Sequence, residues 1–478
     1  MKTYEDFKEV VEKESEDDLK GFLLSAIEEH KSSECYKTAK TAQEYFEKRN
    51  TTITEYRKLL YTITGEAVQD NYSANYKLTS GFFETFITQE SSHLLGNGVL
   101  FNEDSTKEAL GGADLDNIIH DLGEYALIGG VSFGFVNKRD DHYEISPFKV
   151  TEFVPLWGEE DGRLHAGIRF WQLDSAKPLR VTLYEEDGYT DYIRYTRERS
   201  GEQRNTFDLE VLYEKRPYIL KVAVSEVDGE EVIGYENYPS FPVVPMWGNK
   251  KHISEIIGLQ YNIDAYDLIK SGFANDLDDV SQIYWIIQNA GGMDDLDLVK
   301  FVERMKTVRA AVVQDDGARA EAHTTEIPYV ARETFLDRIE KDLYRDSMSL
   351  NIDKIVDGTI HEQLAIEAAY ENLTLKCDKF EFCVTEFLKN VLALVGIDDE
   401  PSYTRSKLIN MAETTQMVLS AAQFLDDETI LRHLPWISPD EIEGIMDRRI
   451  KEEADRVEVY DEEADEIVEM EPVEEEVI

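Results

Sequence analysis

The stretch Tyr238-Pro239-Ser240-Phe241-Pro242-Val243-Val244-Pro245 divides this chain into two differently patterned parts. Its prolines fix φ and remove backbone donors, so the segment is extended and cannot be helix. Beyond it runs the most regular part of the sequence, Ser254 to Ile287. There Ile256, Leu259, Ile263, Tyr266, Ile269, Phe273, Leu277 and Tyr284 recur at the helix period. Some thirty residues at 1.5 Å each would reach about 45 Å, longer than an ordinary globular helix. Before the proline segment the period is 2. Strands are expected at 132–137, 142–146, 150–156, 165–173, 180–185, 190–195, 208–215 and 218–226. Glu160-Asp161-Gly162 and Glu186-Asp187-Gly188 supply turn chemistry between them. The fold class is therefore α+β, mostly helical.

Further upstream the spacing predicts helix over Cys35–Ile63 with a break near Asn50, and again over Tyr76–Leu95 and Asp114–Ile128. Gly96-Asn97-Gly98 ends the second of these, and Gly129-Gly130 marks the switch to strands. The first thirty residues are charge-rich and weakly periodic, giving at most a short helix around Ala26. Downstream, Gln288 to Thr325 reads as a compact α/β insertion, with a helix at Asp297–Arg304 and a strand at Val308–Gln314. Helix returns over Arg332–Leu350, breaks from Asn351 to Thr359 around Gly358, and resumes over Gln363–Val395, capped by Gly396. Ala412–Phe424 and Pro439–Glu453 are further helices. From Val457 onward there are eleven acidic residues and no basic one, a run expected to repel itself and stay disordered.

A chain of 478 residues exceeds what one core usually serves, about 250–300 residues. With 42% hydrophobic and 11% aromatic residues it can bury apolar surface. Its 50 basic and 99 acidic residues leave a formal charge of −49. That balance excludes a conventional DNA clamp, which needs Lys and Arg to release counterions from phosphate. Any DNA partner should be guided past, not gripped. Cys35, Cys377 and Cys383 are too few and scattered for a disulfide framework and suit a reducing compartment. Cys377 and Cys383 fall on different helix faces, as packed thiols do. Met1 to Val11 lacks the basic-then-apolar order of a secretory signal, and no run of apolar residues is long enough to span a membrane.

Few residues suggest chemistry. Gly130-Val131-Ser132-Phe133-Gly134 matches the G-x-S-x-G nucleophile elbow. That motif needs strand before the serine and helix after it, and here the order is reversed. A helix-to-strand turn with close backbone packing accounts for it. The nine histidines stand isolated, without metal-ligand spacing, and no Walker-type loop is present, so no metal or cofactor is expected. Asp278-Asp279, Asp294-Asp295, Asp315-Asp316 and Asp426-Asp427 are adjacent, which places them on different helix faces, as solvated surface. Against the acidic trend, Lys300, Arg304, Lys306 and Arg309 cluster in the insertion, with Arg319 downstream. They form either a solvated surface or a contact for DNA or an acidic partner.

The order of these elements resembles the portal proteins of tailed bacteriophages, in the type found in siphophages of Gram-positive bacteria. The resemblance covers most of residues 35–455. It is carried by Asn75-Tyr76-Lys77-Leu78 with His93-Leu94-Leu95-Gly96-Asn97-Gly98-Val99, and by Tyr125-Ala126-Leu127-Ile128-Gly129-Gly130-Val131-Ser132-Phe133 with Phe153-Val154-Pro155-Leu156-Trp157. It is carried further by Phe241-Pro242-Val243-Val244-Pro245-Met246-Trp247-Gly248-Asn249, by Ile263-Asp264-Ala265-Tyr266-Asp267 with Ser271-Gly272-Phe273-Ala274-Asn275-Asp276-Leu277, and by Gly358 through Lys376. The family often has Ser-Gly before the last long helix, where this chain has His361-Glu362.

The resemblance implies a flexible acidic N-terminus (1–34), a wing of helices and antiparallel-rich sheet (35–252), stem helices (253–282 and 329–346), and a small α/β clip (283–328). A tunnel loop (347–361), a long wing helix (362–398), a helical crown (399–456) and a disordered acidic tail (457–478) complete it. It implies a ring of about a dozen copies at one capsid vertex, closed by a rotational axis. Double-stranded DNA would pass through this channel, packaged by the terminase large subunit and later ejected. A head-completion adaptor and the major capsid and scaffolding proteins would be further partners. The protein would sit in the virion, and in the host cytoplasm during assembly. Asn351, Asp353, Lys354 and Asp357 would line the tunnel, and Lys300, Arg304, Lys306 and Arg309 would meet motor or adaptor. No enzymatic activity follows from the resemblance. Two rival readings are another virion structural protein, such as a minor capsid or head-assembly protein, and an acidic hydrolase centred on Ser132 or a carboxylate pair.

Overall fold

A computed structural model describes residues 2–478 apart from 62–65, 71–72, 140–141, 196–207, 225–230, 280–283, 289–318, 324–328, 352–362, 406–417, 419, 421–425, 435–436, 438–441, 443, 447 and 450–478. The described chain opens with helices α1 (Tyr4–Val11), α2 (Glu16–Ser32), α3 (Glu34–Phe46) and the single turn α4 (Thr51–Thr54). A ribbon of β1 (Leu59–Tyr61) and β2 (Ala67–Gln69) follows, then α5 (Phe82–Leu95), β3 (Val99–Leu100), α6 (Asp104–Ala109) and α7 (Asp114–Gly129). Next come β4 (Val131–Arg139), β5 (His142–Lys149), β6 (Phe153–Trp157), β7 (Leu164–Trp171), β8 (Leu179–Glu185) and β9 (Gly188–Arg194). Strands β10 (Glu210–Arg216), β11 (Ile219–Val224), β12 (Glu231–Glu236) and β13 (Val243–Trp247) end this half. The second half holds α8 (Gln260–Asp279), β14 (Tyr284–Gln288), β15 (Arg319–His323), α9 (Tyr329–Asp346), α10 (Gln363–Val395), β16 (Ser402–Tyr403) and α11 (Asp427–His433).

These residues fall into two compact units. The first takes the chain to Ser349 plus Leu373–Ser406, and the second takes the described parts of Leu350–Asn372 and of the chain after Ser406. In the second unit, α11 starts at Asp426, whose carboxylate accepts from the Thr429 amide at 3.1 Å.

The first unit is built on two antiparallel sheets, one ordered β13-β4-β5 and the other β10-β9-β8-β7-β6. The proline segment is extended, as expected, and also pairs: Val243 opposes Phe135 and Pro245 opposes Phe133. Proline is tolerated because β13 is an edge strand, which needs only one row of donors. The larger core lies where α7 and α10 meet β4. Leu115, Ile119, Leu122 and Ala126 pack there with Phe133 and Val136, and with Phe380, Val384, Phe387 and Val391. Glycine permits the close approach: a Cβ on Gly134 would lie 2.7 Å from the Phe387 ring.

Residues 1–34 do not match the expected flexible acidic terminus. Both α1 and α2 are capped helices over a second core, in which Phe7, Phe22, Leu23 and Ile27 cover Val154, Leu156, Ile168, Phe170, Val181 and Leu183. Thr3 and Asp6 exchange a capping box, and Ser15 accepts from the Asp18 amide at 3.3 Å. The acidic residues of the first turn, Glu16, Asp17 and Asp18, complement the helix dipole. The charges that masked the periodicity thus stabilise the helix end.

Other boundaries move for local reasons. The helix expected over Ser254–Ile287 begins only at Gln260, after a turn with Gly258 at φ 93°, and is described as far as Asp279. Tyr284-Trp285-Ile286-Ile287 instead form a strand against β15, since a short run of aromatic and β-branched residues suits either structure. Helix expected from Tyr76 starts at Phe82, and Gly98, at φ 76°, takes the left-handed position after it. α10 matches its expected bounds, with Gly396 at φ 77° behind it. The expected helix 297–304 and strand 308–314 lie outside the described residues.

Candidate functional site: the long helices and their anchorage

Helices α8 and α9 pack together through Ile263, Ile339 and Leu343, all buried. Tyr266 and Tyr344 of this pair meet the rings of Phe82 and Phe86 on α5, at 4.9 Å and 5.3 Å. An ion pair between Arg332 and Asp276 ties the start of α9 to the end of α8.

A second face of α8 is held by polar groups. Asp264, Asp267, Ser271 and Asn275 are three or four residues apart and so share one side of the helix. Asp264 accepts from the Tyr45 hydroxyl, and from Thr52 Oγ1 at 2.9 Å. Asp267, fully buried, accepts from Asn50 Nδ2, which also donates to the Ser80 carbonyl at 3.2 Å. Ser271 Oγ accepts from the Leu78 amide at 2.9 Å, and Asn275 Oδ1 from the Tyr76 amide at 2.6 Å. These bonds explain why residues 76–80 are a strap along α8 and not the first turn of α5. Burial raises the Asp267 carboxyl above its usual range, while the bond from Asn50 opposes that rise.

Beside the base of α8 sits a buried charge triad. Lys376 of α10 places Nζ 2.6 Å from Glu90 Oε2 and 3.2 Å from Glu255 Oε2. Burial pushes Glu90 up to about 7, against the attraction of Lys376 and with the repulsion of Glu255. Burial also works against the Lys376 charge, but the two carboxylates together outweigh it and hold Lys376 above its ordinary value. Asn249 donates to the other Glu255 oxygen at 2.9 Å. Neither the triad nor the polar face of α8 was legible as a site, because each member taken singly has the signature of a solvated residue. Only the spacing 264, 267, 271, 275 offered a signal.

Of the residues expected in the tunnel, Asn351 is described, half-buried shortly after α9, whereas Asp353, Lys354 and Asp357 lie outside the described residues. Lys300, Arg304, Lys306 and Arg309 also lie outside them. The insertion that carries them is bracketed by the β14–β15 ribbon, in which Tyr284 opposes His323 and Gln288 opposes Arg319. Gly130 adopts φ 85°, and a Cβ there would approach the Ile253 carbonyl carbon to 3.0 Å, in line with the close-packed turn. Ser132 is fully buried and donates to the Leu122 carbonyl at 2.7 Å, so it presents no nucleophile. Cys377 and Cys383 are buried free thiols. Among the described residues no group of His, Cys, Asp and Glu could hold a metal, and no helix is long and apolar enough to cross a membrane.

These features define a scaffold: long helices pinned at several points to a two-sheet body, with the β14–β15 ribbon between them in the chain. Residues 26–466 match the family model of phage portal proteins, SPP1 Gp6-like, and the chain belongs to that family. It is 24% identical over 392 residues to the portal protein of Clostridium phage phiCD119, covering 76% of this chain and 82% of that one. It is 21% identical over 419 residues to the portal protein of Bacillus phage SPP1, covering 82% and 79%. Among solved structures, a chain titled as the neck of a native GTA particle computed with C12 symmetry has a TM-score of 0.42 at 10% identity, covering 75% of this chain and 92% of that one. The protein is thus a portal protein, a virion component of a structural, non-enzymatic family.

Proposed function

We propose that copies of this chain close into a ring whose channel conducts genomic DNA at one capsid vertex. In this reading α8 and α9 are the stem, residues 283–328 the clip, 347–361 the tunnel loop and 399–456 the crown. Residues 35–252 and the long helix at 362–398 make the wing, to which α1 and α2 add a layer. The observation that carries the proposal is the helix pair itself. It is held to the body by a row of side-chain hydrogen bonds, yet leaves Tyr261, Leu277, Tyr329, Val330 and Phe335 exposed. Apolar surface of this extent on a pinned helix pair calls for a neighbour, and a ring supplies one at every position.

The charge of −49 supports the same reading, since an acidic lining passes a phosphate backbone without deep electrostatic wells. Lys354, the basic residue of the tunnel loop, would touch phosphates transiently while Asn351, Asp353 and Asp357 keep the surface non-adhesive. Lys300, Arg304, Lys306 and Arg309 would meet the terminase large subunit, which supplies ATP energy, and later the head-completion adaptor. The major capsid and scaffolding proteins would surround the ring during assembly in the host cytoplasm. Negative-stain imaging of the purified chain should show annular particles with a central hole. Monomers or dimers at high concentration would overturn the proposal. Lys354→Glu should lower packaged DNA per head, and unchanged packaging would remove the role given to Lys354.

A further inference from the structure

Among the described residues the β1–β2 ribbon leaves apolar side chains open. Leu59 opposes Gln69 and Leu60 opposes Val68, and every β2 side chain is exposed. A two-stranded ribbon on its own is marginal in water and persists when something packs on it. Leu59 and Val68 are 48% and 50% exposed, and Tyr56, Tyr76 and Leu268 are also open to solvent. Tyr56 and Asn75 are shared by the linings of two adjoining hollows. One, of about 460 Å³, is lined by Arg57, Gln69, Asn75 and Lys77. The other, of about 270 Å³, runs along α8 past Tyr76, Leu268 and Gly272.

The rim is cationic in a chain with twice as many acids as bases. Arg57 meets no carboxylate among the described residues, and Lys77 donates to the Thr54 carbonyl. Glu55 is the acid on the same rim. Tyrosine and arginine, which meet here in Tyr56 and Arg57, are residue types enriched at interface centres.

The geometry points to this cleft as the docking surface for a second copy of the chain, a face of the ring interface on which Arg57 and Lys77 take up carboxylates of the neighbour. The occupant follows from charge: a copy with 99 acidic and 50 basic residues offers carboxylates almost anywhere it is touched. In a ring the contact is heterologous, so the cleft meets a different patch of the next subunit. This inference rests on the ring reading and adds to it where one subunit grips the next.

The test places a photo-crosslinking benzoylphenylalanine at Leu59 and mixes isotopically light and heavy chains before assembly. Irradiated particles should give a ladder of covalent multimers on a denaturing gel, with light–heavy peptide pairs. The double variant Arg57→Glu with Lys77→Glu should keep its circular dichroism but need roughly tenfold more protein to assemble, equivalent to about 1.4 kcal/mol. Annular particles whose crosslinks stay within one chain, or go to added DNA, would overturn the docking surface and leave the ring reading standing. If wild-type chain forms no annular particles, the ring reading fails and this inference with it.

Discussion

The interior where α7, α10 and β4 meet and the seam along α8, buried at Asp267 and Ser271, are held by opposite means. In the first, Phe133, Phe380 and Phe387 interlock and Gly134 lets a ring lie against backbone. The stabilisation there is apolar area, at about 1.5–3 kcal/mol for each large side chain fully buried. In the second, Asp264, Asp267, Ser271 and Asn275 are matched one by one to donors from residues 45–78. Each such bond contributes only about 0.5–1.5 kcal/mol net, but leaving one unmade in a buried site costs about 1–3 kcal/mol. The first arrangement tolerates small slides of packed surfaces; the second fixes the register of the helix. A helix that must hold its place in an assembly is better pinned by the second.

Removing the heart of the apolar region should have the largest effect. Phe387→Ala is expected to lose about 3–5 kcal/mol, measured by urea unfolding, since its site is fully packed. A loss below about 1 kcal/mol would mean the interior is looser than the glycine contacts indicate.

The charge triad responds to pH. Glu90 has its folded value raised to about 7, above that of an unfolded carboxylate. Its contribution to stability is therefore fully present below the unfolded value and is lost as pH climbs toward 7. Lys376→Met leaves the buried Glu90 and the partly buried Glu255 without their cation, at an expected cost of about 3–5 kcal/mol near pH 8. The loss should shrink near pH 5, as Glu90 takes up a proton. Equal losses at both pH values would show that the lysine acts by packing alone. Glu90→Gln should flatten the wild-type pH dependence over the same interval.

Within the seam, Asn50→Ala strips a donor from buried Asp267 and frees the Ser80 carbonyl. An expected loss of about 1–3 kcal/mol should be accompanied by faster amide exchange across residues 76–80. Unfolding without local loosening would place Asn50 outside the seam.

Much of the apolar region was legible beforehand. The period of 3.6 gave α7 and α10, the period of 2 gave β4 to β9, and Gly130 gave the turn between them. The seam was hidden because Asp264, Asp267 and Asn275 look like solvent-facing positions until the strap is known, and the strap, Tyr76–Ser80, itself imitates the first turn of a helix. The N-terminal helices were hidden by their charge, since a short apolar stripe of Phe22, Leu23, Ala26 and Ile27 is diluted by acids on the outer face. β14 was hidden because Tyr284-Trp285-Ile286-Ile287 carries no periodicity that separates strand from helix.

The smallest expected effect is the sharpest test of the contrast. Ser271→Ala removes an acceptor for the Leu78 amide and should cost about 0.5–1.5 kcal/mol. Asn275→Ala, which abandons the Tyr76 amide, should cost about the same. In an apolar interior two such small truncations at separate sites add. In the seam they act on one strap, so the first to break it releases much of what the second would have lost. The double variant should therefore lose less than the sum of the singles by at least about 0.5 kcal/mol, read from a double-mutant cycle. Strict additivity would mean that the bonds along α8 are independent tethers, and that the register of the helix is set by its apolar face after all.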